Sequence, residues 1–186
     1  MKQIKKLFFA AAAILFAHAS FAQKENTVMV GGAAMYPTKN IVHNAVNSKD
    51  HTTLVAAVKA AGLVETLQSE GPFTVFAPTN DAFALLPAGA VDNLLKPENK
   101  PALTGVLTYH VVACRWSSAD IARMIKDGNG KAEVKTVAGG KLWIMMEGKK
   151  IAIKDESGSV AYVTISDVNQ SNGVIHVIDH VLLPKM

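Results

Sequence analysis

Residues 172–184 read Asn172-Gly173-Val174-Ile175-His176-Val177-Ile178-Asp179-His180-Val181-Leu182-Leu183-Pro184. Valine and isoleucine dominate this stretch, so it is predicted to be a strand running from Gly173 to Leu183. Side chains alternate across a strand. Val174, His176, Ile178 and His180 therefore share one face, and Ile175, Val177, Asp179 and Val181 share the other. Both faces are largely apolar, which predicts a strand through the middle of the domain, covered on both sides.

Upstream of it, Glu133 to Val137, Lys141 to Met146, Lys149 to Lys154 and Val160 to Asp167 also have strand character. Gly139-Gly140, Glu147-Gly148, Ser157-Gly158 and Asn172-Gly173 separate these runs. Breakers at such short, regular intervals predict hairpins in an antiparallel sheet. The first half of the chain has a different texture. Ile41, Val42, Ala45 and Val46 form one helical stripe, and Leu54 to Leu67 keep a helical period that Gly62 divides into two short helices. Gly71-Pro72 ends that region and Phe73–Phe76 reads as a strand. Thr79 or Asn80 is placed to cap a helix beginning near Asp81. Short helices fit residues 90–96, 101–108 and 117–126, with a strand over 109–113. Helices first and strands last predict an α+β arrangement rather than alternating βαβ units.

Three of these segments together resemble the fasciclin family. Gly71-Pro72-Phe73-Thr74-Val75-Phe76-Ala77-Pro78-Thr79-Asn80-Asp81-Ala82-Phe83 is similar to its first motif. Leu107-Thr108-Tyr109-His110-Val111-Val112 is similar to its Tyr-His motif, and residues 172–184 to its second motif. The likeness runs from about Asn40 to Pro184. It implies a wedge of two twisted antiparallel β-sheets with N-terminal and intervening helices packed against it. It also implies adhesion, or association with a surface or matrix. On that footing Phe73–Phe76 and Val174–Ile178 are neighbouring core strands and Phe83 a core anchor. Thr79, Asn80 and Asp81 would cap and orient the following helix, Tyr109 and His110 would fill and tie the interior, and His176 and Asp179 belong to the same structural set. Some animal members use an Asp-Ile pair just before the second motif for contact with integrin. The matching pair here is Asp167-Val168, the candidate binding site that the resemblance supplies.

The N-terminus bears on compartment. Lys2, Lys5 and Lys6 precede an apolar run from Leu7 to Ala17, and Ser20-Phe21-Ala22 offers small residues at the positions a signal peptidase reads. This is the layout of a secretory signal at residues 1–22, with export to the periplasm, cell surface or beyond. The apolar run falls short of the ~20 residues a membrane-spanning helix needs. Residues 23–38, with Gly31-Gly32 and Pro37, read as a flexible tether ahead of a domain at 39–185. Without residues 1–22 the formal charge falls from +4 to +1, sixteen basic against fifteen acidic residues. That is a poor field for nucleic acid. The single cysteine, Cys114, forms no internal disulfide, and its apolar neighbours predict a buried thiol.

The residues give little support to chemistry. His176 and His180 stand roughly 13 Å apart along a strand, too far to share one zinc ion. Ser157-Gly158-Ser159 lies in a turn between strands, not between a strand and a helix as a nucleophile elbow requires. Asp155 and Glu156 read as solvated turn acids. No cofactor, metal site or enzymatic activity is expected. The expected role is a binding module, with a surface or matrix protein, a glycan, or a second copy of the chain as partner. The alternative is a carrier of an apolar small molecule such as a carotenoid or lipid, with Trp143, Met145 and Met146 lining its pocket.

Overall fold

The computed structural model describes residues 26–185. The expected signal peptide lies outside the described residues, as do residues 23–25. The remainder of the expected tether is not loose chain. β1 (Val28–Val30) and β2 (Ala33–Met35) form an antiparallel hairpin. The glycine pair read as a breaker is its turn: Gly31 and Gly32 both have positive φ, 57° and 76°, as a primed two-residue turn needs. Val30 and Met35 are only 3% exposed, so the hairpin is pinned by core burial.

Helices fill most of the next hundred residues. α1 (Ile41–Ala45) is capped by Asn40, whose side-chain oxygen accepts the His43 N–H at 2.9 Å. A 3₁₀ turn, Lys49–His51, leads into α2 (Thr52–Ala61). Gly62, left-handed at φ 75°, separates α2 from α3 (Val64–Gln68), as the sequence predicts. β3 (Phe73–Pro78) is followed by α4 (Asn80–Ala84), α5 (Ala90–Leu94) and α6 (Lys100–Tyr109). β4 is only Val111–Val112. The strand expected from Tyr109 starts two residues later, because Tyr109 closes α6 and His110 keeps near-helical angles. α7 (Ser118–Asp127) begins with a reciprocal capping box between Ser117 and Asp120.

The remaining strands are β5 (Lys131–Lys135), β6 (Lys141–Glu147), β7 (Lys150–Lys154), β8 (Val160–Gln170) and β9 (Gly173–Ile178). β9 stops five residues short of the expected end, because Leu182 and Leu183 direct their N–H groups to side chains instead of a strand.

Seven strands form one sheet in the order β4-β3-β9-β8-β7-β6-β5. β9 is interior and all six of its residues are buried. Its partner β3 runs parallel to it, Phe73 opposite Gly173 through Pro78 opposite Ile178. That pair departs from the antiparallel pairing expected throughout; nearly a hundred residues separate the two strands, ample for the crossover that parallel pairing requires. A side chain on Gly173 would overlap the Phe73 carbonyl oxygen, so glycine allows this close approach.

β8 joins the two halves of the wedge. Residues 160–162 pair with β7 and residues 163–170 with β9, and register shifts flank Ile165. Such irregularities bend a strand and turn one sheet into two faces. Phe76, Tyr109, Leu142, Ile144, Ile153 and Ile178 pack between those faces, and α7 adds Ile121 and Ile125. The opposite face of β3 and β9 is covered by the hairpin and α1, α2, α3 and α6. The fold class is α+β.

Candidate functional site

Most motif residues converge inside the domain; Asp81 is exposed, and Asp179 with His180 lies partly at the surface although Asp179 also has a partner within the fold. Thr79 caps α4, its hydroxyl oxygen accepting the Ala82 N–H at 3.2 Å. Asn80 caps a different helix. Its Oδ1 accepts the Thr53 N–H at 3.0 Å and the Thr52 hydroxyl at 3.2 Å at the start of α2, while Nδ2 donates to the Lys49 carbonyl at 2.8 Å. Asp81 is exposed in the first turn of α4, where a carboxylate suits the helix dipole. Phe83 is buried beside Ala82 and Val181.

Tyr109 is a structural tie. Its hydroxyl donates to the Lys141 carbonyl at 2.6 Å and accepts the Glu156 N–H at 3.0 Å. Burial raises its pKa to about 12. His110 bridges two elements: Nδ1–H donates to the Val106 carbonyl at 2.8 Å and Nε2 accepts the Leu182 N–H at 2.9 Å. Those partners require the neutral ring, and burial pushes its pKa down to about 4. His176 uses the opposite tautomer, with Nε2–H donating to the Trp116 carbonyl at 2.9 Å and Nδ1 facing the Asp167 N–H at 3.4 Å. Burial lowers its pKa as well. Asp179 accepts the Tyr162 N–H at 2.7 Å and contacts His180 Nδ1 at 2.8 Å. Neither buried motif histidine keeps a free nitrogen for proton transfer.

The candidate pair Asp167-Val168 divides: Val168 is buried and Asp167 is half-buried. Asp167 sits at φ 58°, and its Oδ1 accepts the Ser118 N–H at 2.6 Å while Oδ2 accepts the Ser118 hydroxyl. Its carboxylate thus caps α7 from across the fold. Val168 is 1% exposed and lies in the core beneath the helices. Val168 is thus enclosed, while Asp167 is half-buried with its carboxylate engaged by Ser118.

Several buried polar residues escaped the sequence reading. Asp155, expected in solvent, is 1% exposed and accepts the Ser157 hydroxyl and the N–H groups of Ser159 and Leu183 at 2.7–2.8 Å. Asn172 Oδ1 accepts the Ile41 N–H at 3.0 Å, and its amide donates to the Leu67 and Ser69 carbonyls at 2.8 Å. Its place in the Asn172-Gly173 breaker was the available signal. Asn44 donates to Gln170, joining α1 to β8. Cys114 is exposed, contrary to the buried thiol expected.

Among the described residues, a cavity lies within the helical layer. About 80 Å³ lies between α2, α3, the β1–β2 hairpin and the sheet, partly open to solvent, with Met35, Leu54, Val58, Leu67, Phe73 and Ile175 in its wall. The walls are almost wholly apolar. His51, 3% exposed, also lines it: Nδ1 pairs with the Ser48 hydroxyl at 2.9 Å, and Nε2 is buried without a hydrogen bond. Burial lowers the pKa of this ring, against smaller opposing effects of the Ala77 backbone and Asp50. Trp143, Met145 and Met146 do not line this cavity. Trp143 and Met145 stand on the outer face of β6, and Met146 is 41% exposed.

Comparison with known proteins is consistent with this geometry. The family model described as the Fasciclin domain matches residues 49–184. Protein sll1483 of Synechocystis sp. is 48% identical over 162 residues, 87% of this chain and 83% of that protein. Transforming growth factor-beta-induced protein ig-h3 of Sus scrofa is 37% identical over 131 residues, which are 70% of this chain and 17% of that longer protein. Among solved structures, a FAS1 domain pair from the insect cell adhesion molecule fasciclin I is similar at a TM-score of 0.56 and 26% identity, over 70% of this chain and 43% of that one.

Proposed function

Because the chain belongs to the fasciclin-domain family, we propose that it is an exported, non-catalytic binding module that attaches to a cell surface or to the matrix around it. The observation carrying this reading is the internal engagement of the motif residues. His110, His176, Tyr109, Asp167 and Asp179 are each held by partners within the fold. Binding is then the work of the exposed surface, and the fold is shared with a protein described as a cell adhesion molecule. Export rests on the segment at residues 1–22, and the partner is a surface or matrix protein, a glycan, or a second copy. The test coats a surface with the protein and measures retention of cells or envelope from its source. Retention above that of an unrelated exported domain supports the proposal, and equal retention refutes it.

A second reading is carriage of an apolar small molecule such as a carotenoid or lipid; the cavity of about 80 Å³ takes one end of such a molecule, and the rest would lie outside it. The cavity wall is almost wholly apolar, which suits a hydrocarbon segment of the ligand. Solvent extraction of protein purified from its native source tests this. A stoichiometric pigment or lipid supports carriage, and a colourless, lipid-free preparation refutes it.

A further inference from the structure

The outer face of β5, β6 and β7 has an uneven chemistry. It carries Lys131, Lys135, Lys141, Lys150 and Lys154 against two acids, Glu133 and Glu147. Both acids are engaged locally. Glu133 pairs with Lys141 at 2.7 Å and accepts the Trp143 indole N–H at 3.0 Å, which fixes the ring. Glu147 accepts the Tyr162 hydroxyl at 2.7 Å. Among the described residues, Lys131, Lys135, Lys150 and Lys154 have no carboxylate within ion-pair distance. Lys131 instead lies 5.6 Å from the Trp143 ring centre and Lys150 lies 5.9 Å from that of Tyr162. Lys131, Trp143, Met145 and Lys154 line a shallow depression in this face.

We propose that this depression is a binding site for an acidic polysaccharide, a sugar polymer bearing repeated carboxylate or sulfate groups. Trp143 and Met145 offer an apolar floor for the C–H face of a sugar ring. Lys131 and Lys154 flank that floor. In the strand register Lys131 faces Met145 and Lys154 faces Trp143, so their attachment points are two strand spacings across and two residues along, roughly 12 Å apart. From attachment points that far apart, the long lysine side chains can reach anions on neighbouring units of a chain. A neutral sugar leaves the lysines unpaired. An acidic peptide pairs with the lysines but has no matched use for a locked indole. The proposal rests on the surface-binding reading and names its partner class.

The test uses the full protein, with polygalacturonate, dextran sulfate, neutral dextran and polyglutamate as immobilised probes. Polygalacturonate or dextran sulfate retains the protein in a salt-sensitive way, and which of the two binds tells the carboxylate source from the sulfate source. Neutral dextran does not retain it. Trp143→Ala and, separately, Lys131→Gln with Lys154→Gln each weaken retention about tenfold, the loss of one good anchor. The lysine pair is fully on the surface, so it remains informative if the tryptophan variant folds poorly. Retention on polyglutamate equal to that on the sugars, or insensitivity to both variants, overturns the proposal, as does failure of both acidic sugars. Envelope retention measured on the same variants separates the two levels. If it persists unchanged while the sugar arm fails, only this inference falls; if envelope retention is also absent in the wild type, the surface-binding reading falls with it.

Discussion

His110 Nε2 accepts the backbone N–H of Leu182 at 2.9 Å, across seventy-two residues of chain. The same ring donates from Nδ1 to Val106 within α6, so one imidazole fastens the segment after β9 to the end of a helix. The Tyr-His motif and the second motif are therefore two parts of one joint. His110→Ala should lower unfolding stability by about 2–4 kcal/mol, from lost packing and an orphaned buried N–H. Urea titration followed by circular dichroism measures this. His110→Gln keeps a donor and an acceptor and should recover part of the loss.

Acid should weaken the fold before carboxylates protonate. The pKa of His110 falls to about 4 in the folded chain, and those of His176 and His51 are lowered in the same direction. Unfolded histidine titrates near 6.5, so below that pH the unfolded chain binds protons that the folded chain refuses. The stability these neutral rings contribute is complete above about pH 6.5. It is lost as pH falls toward about 4, His110 alone accounting for on the order of 3 kcal/mol. Thermal unfolding at pH 7.5, 6, 5 and 4 should show a falling midpoint, and His110→Gln should flatten that dependence.

Asp167 is expected to matter for stability and not for adhesion. Its carboxylate accepts both the N–H and the hydroxyl of Ser118 at the start of α7. Removing a cap costs about 1–2 kcal/mol. Asp167→Ala and Ser118→Ala should each destabilise the protein, and the double variant should lose less than their sum. Retention on envelope, corrected for the folded fraction, should stay at the wild-type level in all three. A drop in the folded Asp167→Ala protein would place the contact site at this pair.

Asn80 links two helices, lying in α4 while its side chain caps α2. Asn80→Ala should cost about 1 kcal/mol and raise amide exchange in the first turn of α2 rather than in α4. Hydrogen exchange resolved by residue distinguishes the two locations.

Much of the fold is legible in the chain because local signals agree with tertiary ones. The β-branched run of residues 174–178 has two apolar faces, and β9 is interior and buried on both. Gly62 separates α2 from α3, and Thr79 starts α4. Where reading and structure part, a tertiary contact outweighs local composition. Gly31-Gly32 suggests a tether until Val30 and Met35 find apolar partners in the core. Tyr109 and His110 have strand-like composition, but the last turn of α6 continues through Tyr109. Parallel pairing of β3 with β9 leaves no local mark, since it depends on a crossover spanning most of the domain.

The candidate site was less legible. Asp155 looks like any acid in a glycine-containing turn, and only the return of the chain at Leu183 encloses it. His51 reads as a polar residue before a helix, yet it closes one wall of an apolar cavity whose other walls come from distant segments. Strand alternation puts Trp143 and Met145 on one face. Which face is outward is set by Leu142 and Ile144 entering the core on the other side.

The most direct measurement of the central claim compares wild type with His110→Gln, per folded molecule, in retention on envelope from the source organism. Equal retention by the two proteins, alongside lower stability of the variant, is the result this structure predicts. Retention that vanishes in a fully folded His110→Gln protein would contradict it and put the motif histidine at the functional site.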